Sequence, residues 1–153
     1  PYIDRMKRHP LARAIRVDKM TIAALWATLT TYQDLHRAEQ EIPTLAMLAV
    51  SGEDLRASAA QLCALLKERG VAAEVVAQSG PVGGGSVPTQ LLPTFAVALP
   101  ADKLSPNQAE QALRCREKPI IGRITEGRLL LDVRTIFPED MEYIADTAAE
   151  VLA

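Results

Sequence analysis

The sequence predicts an α+β fold in which helices cover one face of an antiparallel sheet. Apolar residues recur with helical spacing between residues 18 and 41 and again between residues 52 and 69. Val71–Gln78 and Thr94–Leu99 are instead rich in the residues and the two-residue alternation of strands. Two further strand-like stretches flank Glu126-Gly127, a pair that is typical of a hairpin turn. The predicted order is therefore helices followed by an αββαββα arrangement.

The N-terminal end carries a concentrated positive charge. Residues 1–19 hold six Lys or Arg and two Asp, whereas the rest of the chain holds 11 basic and 17 acidic residues. The net charge of −2 therefore hides a basic segment joined to an acidic remainder. This asymmetry indicates either an anionic ligand at this end or a solvated basic surface.

Two arginines of the basic segment are candidates for an anion site. The chain is predicted to form a helix over Tyr2–Arg8, to bend at Pro10 and then to restart. Arg13 and Arg16 lie three residues apart, so on one helical turn their guanidinium groups would face the same side. Such a pair can hold a phosphate-like anion through charge-assisted hydrogen bonds.

A long helix is predicted to start after Asp18, a typical N-cap residue, and to end between Leu35 and Glu41. We expect it to carry core contacts through apolar side chains spaced three and four residues apart: Ile22, Leu25, Leu29 and Tyr32. Trp26 is interpreted as a core or interface residue rather than a ligand-stacking one. Glu41–Val50 is expected to be a short apolar element that crosses between subdomains.

Three later helices are marked by their caps. Ser51 opens a helix over about residues 52–69 that Gly70 terminates, and Ser105 opens another that should end near Arg116. Pro138 opens the last helix. The predicted inward side chains of the first and last of these helices are Leu55, Ala59, Leu62, Cys63 and Leu66, and Met141, Ile144, Ala145, Ala148 and Leu152.

A glycine-rich stretch, Ser79–Pro88, separates the first two predicted strands. Its three consecutive glycines, Gly83 to Gly85, suit a loop that approaches a ligand closely. It lacks the Gly-Lys-Ser/Thr ending and the following helix of a nucleotide-binding P-loop. A flexible connector, a phosphate cradle and a loop bordering an active site or subunit interface stay open as interpretations.

The predicted hairpin, Pro119–Thr125 with Arg128–Arg134, gathers charge on one face of the sheet. By alternation Asp132 and Arg134 share the face opposite the apolar Leu129, Leu131 and Val133, and Arg123 points away from its own apolar neighbours. Two arginines and an acid should therefore meet on one surface. They are either ligand-binding candidates or an exposed ion pair worth at most about 1 kcal/mol.

Other kinds of site find little support in the sequence. Cys63 and Cys115 have no Cys or His partner at ligand spacing, so neither a metal site nor a disulfide framework is predicted. The two histidines have no metal or triad partners at useful spacing. No lysine has the glycine-flanked strand-end setting of a Schiff-base lysine: Lys7, Lys19, Lys67, Lys103 and Lys118. No run of 18 apolar residues occurs, so we expect a cytoplasmic chain without a membrane span.

Four sequence blocks carry a family resemblance. HPLARAIRVDKMTIAAL (9–25), EIPTLAML (41–48), VGGGSVP (82–88) and IIGRI with GRLLLDVRT (120–135) occur in the order seen in bacterial selenocysteine synthase, L-seryl-tRNA(Sec) selenium transferase. The chain resembles the C-terminal third of that fold-type-I pyridoxal-phosphate enzyme. The resemblance implies a basic linking segment and long helix over residues 1–50, and the small C-terminal α+β domain over residues 51–153.

The resemblance also implies roles for the arginines. The enzyme would convert seryl-tRNA(Sec) to selenocysteinyl-tRNA(Sec) with selenophosphate as selenium donor, as a homo-oligomer. Arg13 and Arg16 match the arginines that bind the donor's anionic group, whereas Arg123 or Arg134 would grip a substrate carboxylate. Pyridoxal phosphate and its lysine would lie upstream, so no cofactor-binding residue is expected in this chain, and the isolated chain should be inactive.

Two other functions stay open. A related pyridoxal-phosphate lyase acting on a phosphorylated amino sugar acid would use the arginine pair equally well. A non-catalytic RNA- or partner-binding module would also explain the basic segment. The aromatic content of only 4% counts against a single-stranded RNA platform, which needs stacking faces.

Overall fold

The computed structural model describes residues 2–81, 91–100 and 102–152, and the chain divides into two compact units, Pro1–Ala49 and Val50–Ala153. Helices and a four-stranded antiparallel sheet confirm the predicted α+β class. The glycines of the predicted loop, Gly83 to Gly85, lie outside the described residues.

The first unit contains five short helices in its described part. They are α1 (Tyr2–Arg8), α2 (Pro10–Ala14), α3 (Lys19–Thr31), α4 (Leu35–Glu41) and α5 (Pro43–Ala49). Neighbouring helices pack in sequence, α3 against α4 and α4 against α5. The segment expected to cross between subdomains is thus the single short helix α5.

The predicted long helix after Asp18 is wrong, because the chain breaks it after Thr31. Asp18 does cap α3, but a second acid, Asp34, caps α4 by accepting a hydrogen bond from the Arg37 backbone N–H at 3.1 Å. A carboxylate at an N-cap satisfies backbone donors that a continuous helix would use internally, so it favours a restart over continuation. The apolar spacing continues across the break, which is why periodicity alone predicted one helix.

The expected core contacts of α3 are also absent from the described unit. Its stripe residues Ile22, Leu25 and Leu29 are each more than half exposed, and Trp26 is 73% exposed. Ala38 in α4 is the only fully buried residue among residues 2–49. Trp26 is therefore not a core residue of this chain, and the interface interpretation stays a prediction.

The second unit holds the sheet and three further helices. In order it contains α6 (Gly52–Glu68), β1 (Glu74–Pro81), β2 (Leu91–Leu99), α7 (Pro106–Arg114), β3 (Arg123–Thr125), β4 (Arg128–Asp132) and α8 (Met141–Leu152). Two 3-10 turns, Val133–Thr135 and Pro138–Asp140, connect β4 to α8. The strand order is β1-β2-β4-β3, and every neighbouring pair is antiparallel.

Helices α6, α7 and α8 share one hydrophobic core with a single face of the sheet. All the inward residues predicted for the first and last of these helices are buried. The sheet contributes Val97 and Leu99 from β2 and Leu129 and Leu131 from β4. The opposite face, called the second face below, has its own small cluster of Ala96, Ala98 and Leu130, with Val76 packed against them. No helix residue belongs to this second cluster among the described residues.

The caps of α6 explain its sharp boundaries. The Ser51 hydroxyl accepts a hydrogen bond from the Asp54 backbone N–H at 3.1 Å. At the other end Gly70 adopts a φ of +82°, and the next residue, Val71, donates its backbone N–H to the Leu66 carbonyl at 2.9 Å. These contacts are those of a Schellman motif, which requires the left-handed conformation that glycine adopts without strain.

The limits of several strands differ from the prediction, and β3 begins at Arg123 rather than at Pro119. β1 begins at Glu74 rather than Val71, because the backbone of Val71 closes α6 instead of joining the sheet. It then continues to Pro81, so Ser79–Pro81 belong to a strand and not to the predicted loop. β4 ends at Asp132, whose side chain accepts the Arg134 backbone N–H and starts a 3-10 turn.

Candidate functional site

The basic segment in the first unit is built around α2. His9 is its N-cap, and its ring Nδ1 accepts the Leu11 backbone N–H at 3.3 Å. Arg13 lies in the last turn of α2, whereas Arg16 follows the helix by two residues, after Ile15 has capped it. The prediction that Arg13 and Arg16 share one helical turn is therefore wrong, because α2 ends at Ala14.

Both arginines are nevertheless exposed to solvent. Among the described residues, neither Arg13 nor Arg16 has an acidic hydrogen-bond or ion-pair partner. An open cleft of about 520 Å³ is lined by Arg16, Val17, Asp18, Lys19 and Ile22. Arg16 and Lys19 give this cleft a positive lining.

Asp18 stands in the same cleft without serving as a counter-ion to Arg16. Its two carboxylate oxygens accept the backbone N–H and the hydroxyl of Thr21, each at 2.9 Å. The backbone hydrogen bond from Thr21 is the main cause that lowers the pKa of Asp18. Asp18, the only acid that lines the cleft, is therefore already hydrogen-bonded as the helix cap. Lys19 is a second cation of the cleft beside Arg16, and the sequence analysis did not single it out.

The second candidate cluster lies on the second face of the sheet in the other unit. Arg123 pairs in register with Leu130, so both side chains share that face. Its Nη2 atom lies 4.0 Å from the Asp132 carboxylate. Asp132 also accepts the Arg134 backbone N–H at 3.1 Å. The structure therefore places Asp132 beside the Arg123 guanidinium, whereas its contact with Arg134 is to the backbone of a 3-10 turn, because β4 ends at Asp132 and the predicted strand alternation does not reach Arg134.

The two arginines have different surroundings. Arg134 donates from Nη2 to the Pro93 carbonyl at 2.8 Å, and so ties its 3-10 turn to β2. Arg123 has Nε and Nη2 shielded from solvent, and neither has a hydrogen-bond acceptor among the described residues. Its Nη1 lies 3.2 Å from the position that a Cβ would take at Gly80.

Sequence reasoning missed two residues of this cluster. Thr94 is 4% exposed and donates its hydroxyl to the Asp132 carboxylate at 2.8 Å. Gly80 was assigned to the glycine-rich loop, but it lies in β1 beside Arg123. Thr94 could have been found as a polar residue on an otherwise apolar strand. Gly80 could not, because its neighbour Arg123 lies 43 residues further along the chain.

Four of the lysines, Lys7, Lys19, Lys67 and Lys118, do not lie in the setting that a Schiff base with pyridoxal phosphate needs. A lysine that forms a Schiff base needs a lowered pKa. The Lys118 ammonium group donates a hydrogen bond to the Asp140 carboxylate, and this hydrogen bond is the main cause that raises the pKa of Lys118. Lys7, Lys19 and Lys67 are exposed on or beside helices. These four lysines therefore lack that setting.

The cysteines and acids of the described chain form no metal centre. Over residues 2–81, 91–100 and 102–152, no group of three His, Cys, Asp or Glu is arranged to hold a metal ion. Cys63 is buried and donates to the Ala73 carbonyl, whereas Cys115 is exposed. In that same part of the chain no helix combines the length and apolar character that crossing a bilayer requires.

Comparison with known proteins identifies the family. The family model for L-seryl-tRNA selenium transferase (SelA) matches residues 1–137. The L-seryl-tRNA(Sec) selenium transferase of Geobacter sulfurreducens is 44% identical over 154 aligned residues, which cover 98% of this chain. The enzymes of that name from Aquifex aeolicus and Alkaliphilus oremlandii are 40% and 39% identical over 99% of the chain.

These relatives are longer proteins. The chain spans about a third of their length, 33% in each of the three. The matched residues include the basic segment and both strands of the predicted hairpin. The chain belongs to the L-seryl-tRNA selenium transferase family.

Proposed function

We propose that the chain is the C-terminal part of a bacterial selenocysteine synthase. The complete enzyme would convert seryl-tRNA(Sec) to selenocysteinyl-tRNA(Sec), with selenophosphate as donor, in the cytoplasm where aminoacyl-tRNAs are consumed. The observation that carries this proposal is the family match over residues 1–137, together with relatives of that printed name. Residues 1–50 would link to the preceding domain, and residues 51–153 would be the small domain of a fold-type-I enzyme.

Arg13 and Arg16 would bind the anionic group of the selenium donor. Their support is local: both are exposed, no described acid pairs with either, and Arg16 lines a cleft with Lys19. The only acid of that cleft, Asp18, is engaged by Thr21. A phosphate-like group with two or three negative oxygens would satisfy such guanidinium donors through charge-assisted hydrogen bonds.

The cofactor of the complete enzyme would be pyridoxal phosphate, held by residues that precede this chain. It would supply the electron sink for replacing the serine hydroxyl. No step through the cofactor is assigned to residues of this chain. What the chain contributes instead is anion binding, through Arg13 and Arg16 in the first unit.

Selenium transfer is favoured over the two alternatives. A lyase acting on a phosphorylated amino sugar acid would also use a pair of arginines, but the relatives carry the selenium transferase name over nearly the whole chain. An autonomous RNA-binding module would need stacking faces, and only 4% of the residues are aromatic.

Steady-state selenium transfer by the complete enzyme tests this proposal. Arg13→Ala or Arg16→Ala removes a charge-assisted contact, so we expect a loss of about 10- to 100-fold in kcat/KM for selenophosphate. Cofactor absorbance should be unchanged. Arg8→Ala is the matched control, because Arg8 is an exposed arginine of the same basic segment. Parental rates for both Arg13 and Arg16 variants would show that the segment is only a solvated surface.

A further inference from the structure

Lys19 shares the cleft of the basic segment with Arg16. The chain leaves α2 after Ala14 and is extended at Asp18, with φ −73° and ψ 171°, before α3 begins at Lys19. This irregular segment brings the side chains of Arg16 and Lys19 to one cleft of about 520 Å³, although no helix joins them. Two cations three residues apart therefore meet at one site without the shared helical turn that was predicted for Arg13 and Arg16.

The other side chains of the cleft do not neutralise these two cations. In the part of the chain that the structure describes, neither Arg16 nor Lys19 has a hydrogen-bond or ion-pair partner. Asp18 is the only acid of the lining, and both of its carboxylate oxygens accept hydrogen bonds from Thr21. The remaining lining residues are apolar: Val17 and Ile22. The charged side chains of the cleft thus leave one net positive charge open to an anion from solution.

The stability of α3 does not account for a lysine at this position. A cation in the first turn of a helix meets the positive end of the helix dipole, which is unfavourable. The first turn of α3 holds no acid that would offset this charge. Lys19 is also exposed, and so adds no core packing. Binding of an anion in the cleft gives the lysine a purpose that the helix does not.

The two cations have complementary chemistry towards a phosphate-like anion. A guanidinium can donate two parallel hydrogen bonds to two oxygens, whereas an ammonium group on a flexible stem supplies a mobile point charge. Selenophosphate carries three oxygens and one selenium on its phosphorus. Resting on the proposed function, we propose that Lys19 binds the selenium donor together with Arg16. Arg16 holds two of the oxygens and Lys19 the third, so the selenium atom stays free for transfer.

Separate KM measurements for the two substrates of the complete enzyme test the role of Lys19. Lys19→Gln removes the charge, so KM for selenophosphate should rise about 10- to 100-fold while KM for seryl-tRNA stays unchanged. The melting temperature should stay the same or rise, because α3 loses a cation from its first turn. Lys7→Gln is the matched control, since Lys7 is an exposed lysine of the same basic segment that does not line the cleft.

A binding measurement without turnover separates this assignment from the proposed function. Calorimetric titration of the complete enzyme with inorganic phosphate should show weaker binding by Lys19→Gln than by the wild type, and wild-type binding by Lys7→Gln. An enzyme that binds phosphate in this Lys19-dependent way but transfers no selenium would contradict the proposed function and leave the anion site standing.

Four results would overturn the role of Lys19. The first is that Lys19→Gln changes neither KM for selenophosphate nor the affinity for phosphate. The second is a rise confined to KM for seryl-tRNA, which would assign Lys19 to a phosphate of the RNA. The third is an equal effect in Lys7→Gln, which would make Lys19 one charge of a basic surface. The fourth is a lower melting temperature of Lys19→Gln, which would give the lysine a structural role.

Discussion

Three aspartates with the same chemistry have different tasks, which their local partners determine. Asp18 and Asp34 each follow a turn and accept backbone N–H groups at the start of a helix. Asp132 ends a strand and accepts one hydroxyl and one backbone N–H, while it faces a guanidinium. The first task was readable from sequence for Asp18, whose partner is three residues away, but it was missed for Asp34, which has the same spacing. The second task is not readable from sequence, since Thr94 and Arg123 approach Asp132 only in the folded sheet.

Removing the cap of α7 should destabilise the second unit measurably. The Ser105 hydroxyl accepts the Gln108 backbone N–H, and the Gln108 side chain accepts the Ser105 backbone N–H at 3.0 Å. Ser105→Ala breaks this reciprocal capping box, so we expect about 1 kcal/mol lower free energy of unfolding in urea titrations. Ser58→Ala makes the same change at a partly exposed position inside α6 and should alter that free energy by less than about 0.5 kcal/mol. Equal losses in both variants would contradict the capping account.

Turn chemistry rather than apolar pattern fixes the hairpin between β3 and β4. Glu126 and Gly127 both adopt positive φ, 52° and 71°, as the two central residues of a type I′ turn do. This turn matches the right-handed twist of the flanking strands. It therefore holds Arg123 in register with Leu130, and so on the face where Asp132 lies.

Gly127→Ala should weaken this hairpin for a purely conformational reason. A Cβ at position 127 would meet nothing within 4 Å, so the cost arises from the left-handed backbone alone and is about 1–2 kcal/mol. Gly52→Ala is the matched control, because that site is equally open but lies in the first turn of α6 without a positive φ. There the substitution should be neutral or stabilising by up to about 1 kcal/mol. Thermal unfolding with the two variants in the reverse order would refute this account.

Element existence was more predictable than element limits. Caps such as Ser51, Ser105 and Gly70 place three helix boundaries within one or two residues of those observed, because their hydrogen bonds are local. The break at Asp34 was missed, because an acid within a stretch of helical apolar spacing is usually an exposed surface residue. Only the structure shows that its carboxylate accepts the Arg37 backbone N–H and so caps a new helix. The glycine-rich loop was predicted too long for the opposite reason, because strand pairing to β2 overrides the poor strand propensity of Ser79 and Gly80.

At the scale of the whole molecule the two units differ in how completely they bury their apolar residues. The second unit has a closed core that joins three helices to one sheet face. The first unit leaves large apolar side chains exposed on α3 and around it. The sequence predicted which residues are apolar and which helices they belong to. It could not predict that α3 finds no cover within its own unit, because periodicity shows an apolar stripe without showing its partner.

We therefore predict that the 153-residue chain folds but self-associates. Exposed apolar patches beyond a few hundred Å² are unusual on monomers and drive association. Trp26 and Met20 on α3 are 73% and 80% exposed, and Leu25 and Leu29 are more than half exposed. Light scattering should show dimers or larger species at micromolar concentration. Trp26→Lys should shift the equilibrium towards monomers, because burying an unpaired charge opposes association.

The control for this prediction is a charge placed on the other unit. Gln61→Lys adds the same charge at an exposed position of α6 and should leave the association unchanged. Tryptophan emission gives an independent measurement, since Trp26 is the only tryptophan and its emission should move to shorter wavelength as the concentration rises. A monomeric chain at all concentrations, with Trp26 emission typical of full solvent exposure, would mean that α3 is not an association surface. Dissociation by Gln61→Lys as strong as by Trp26→Lys would place the association on the second unit instead.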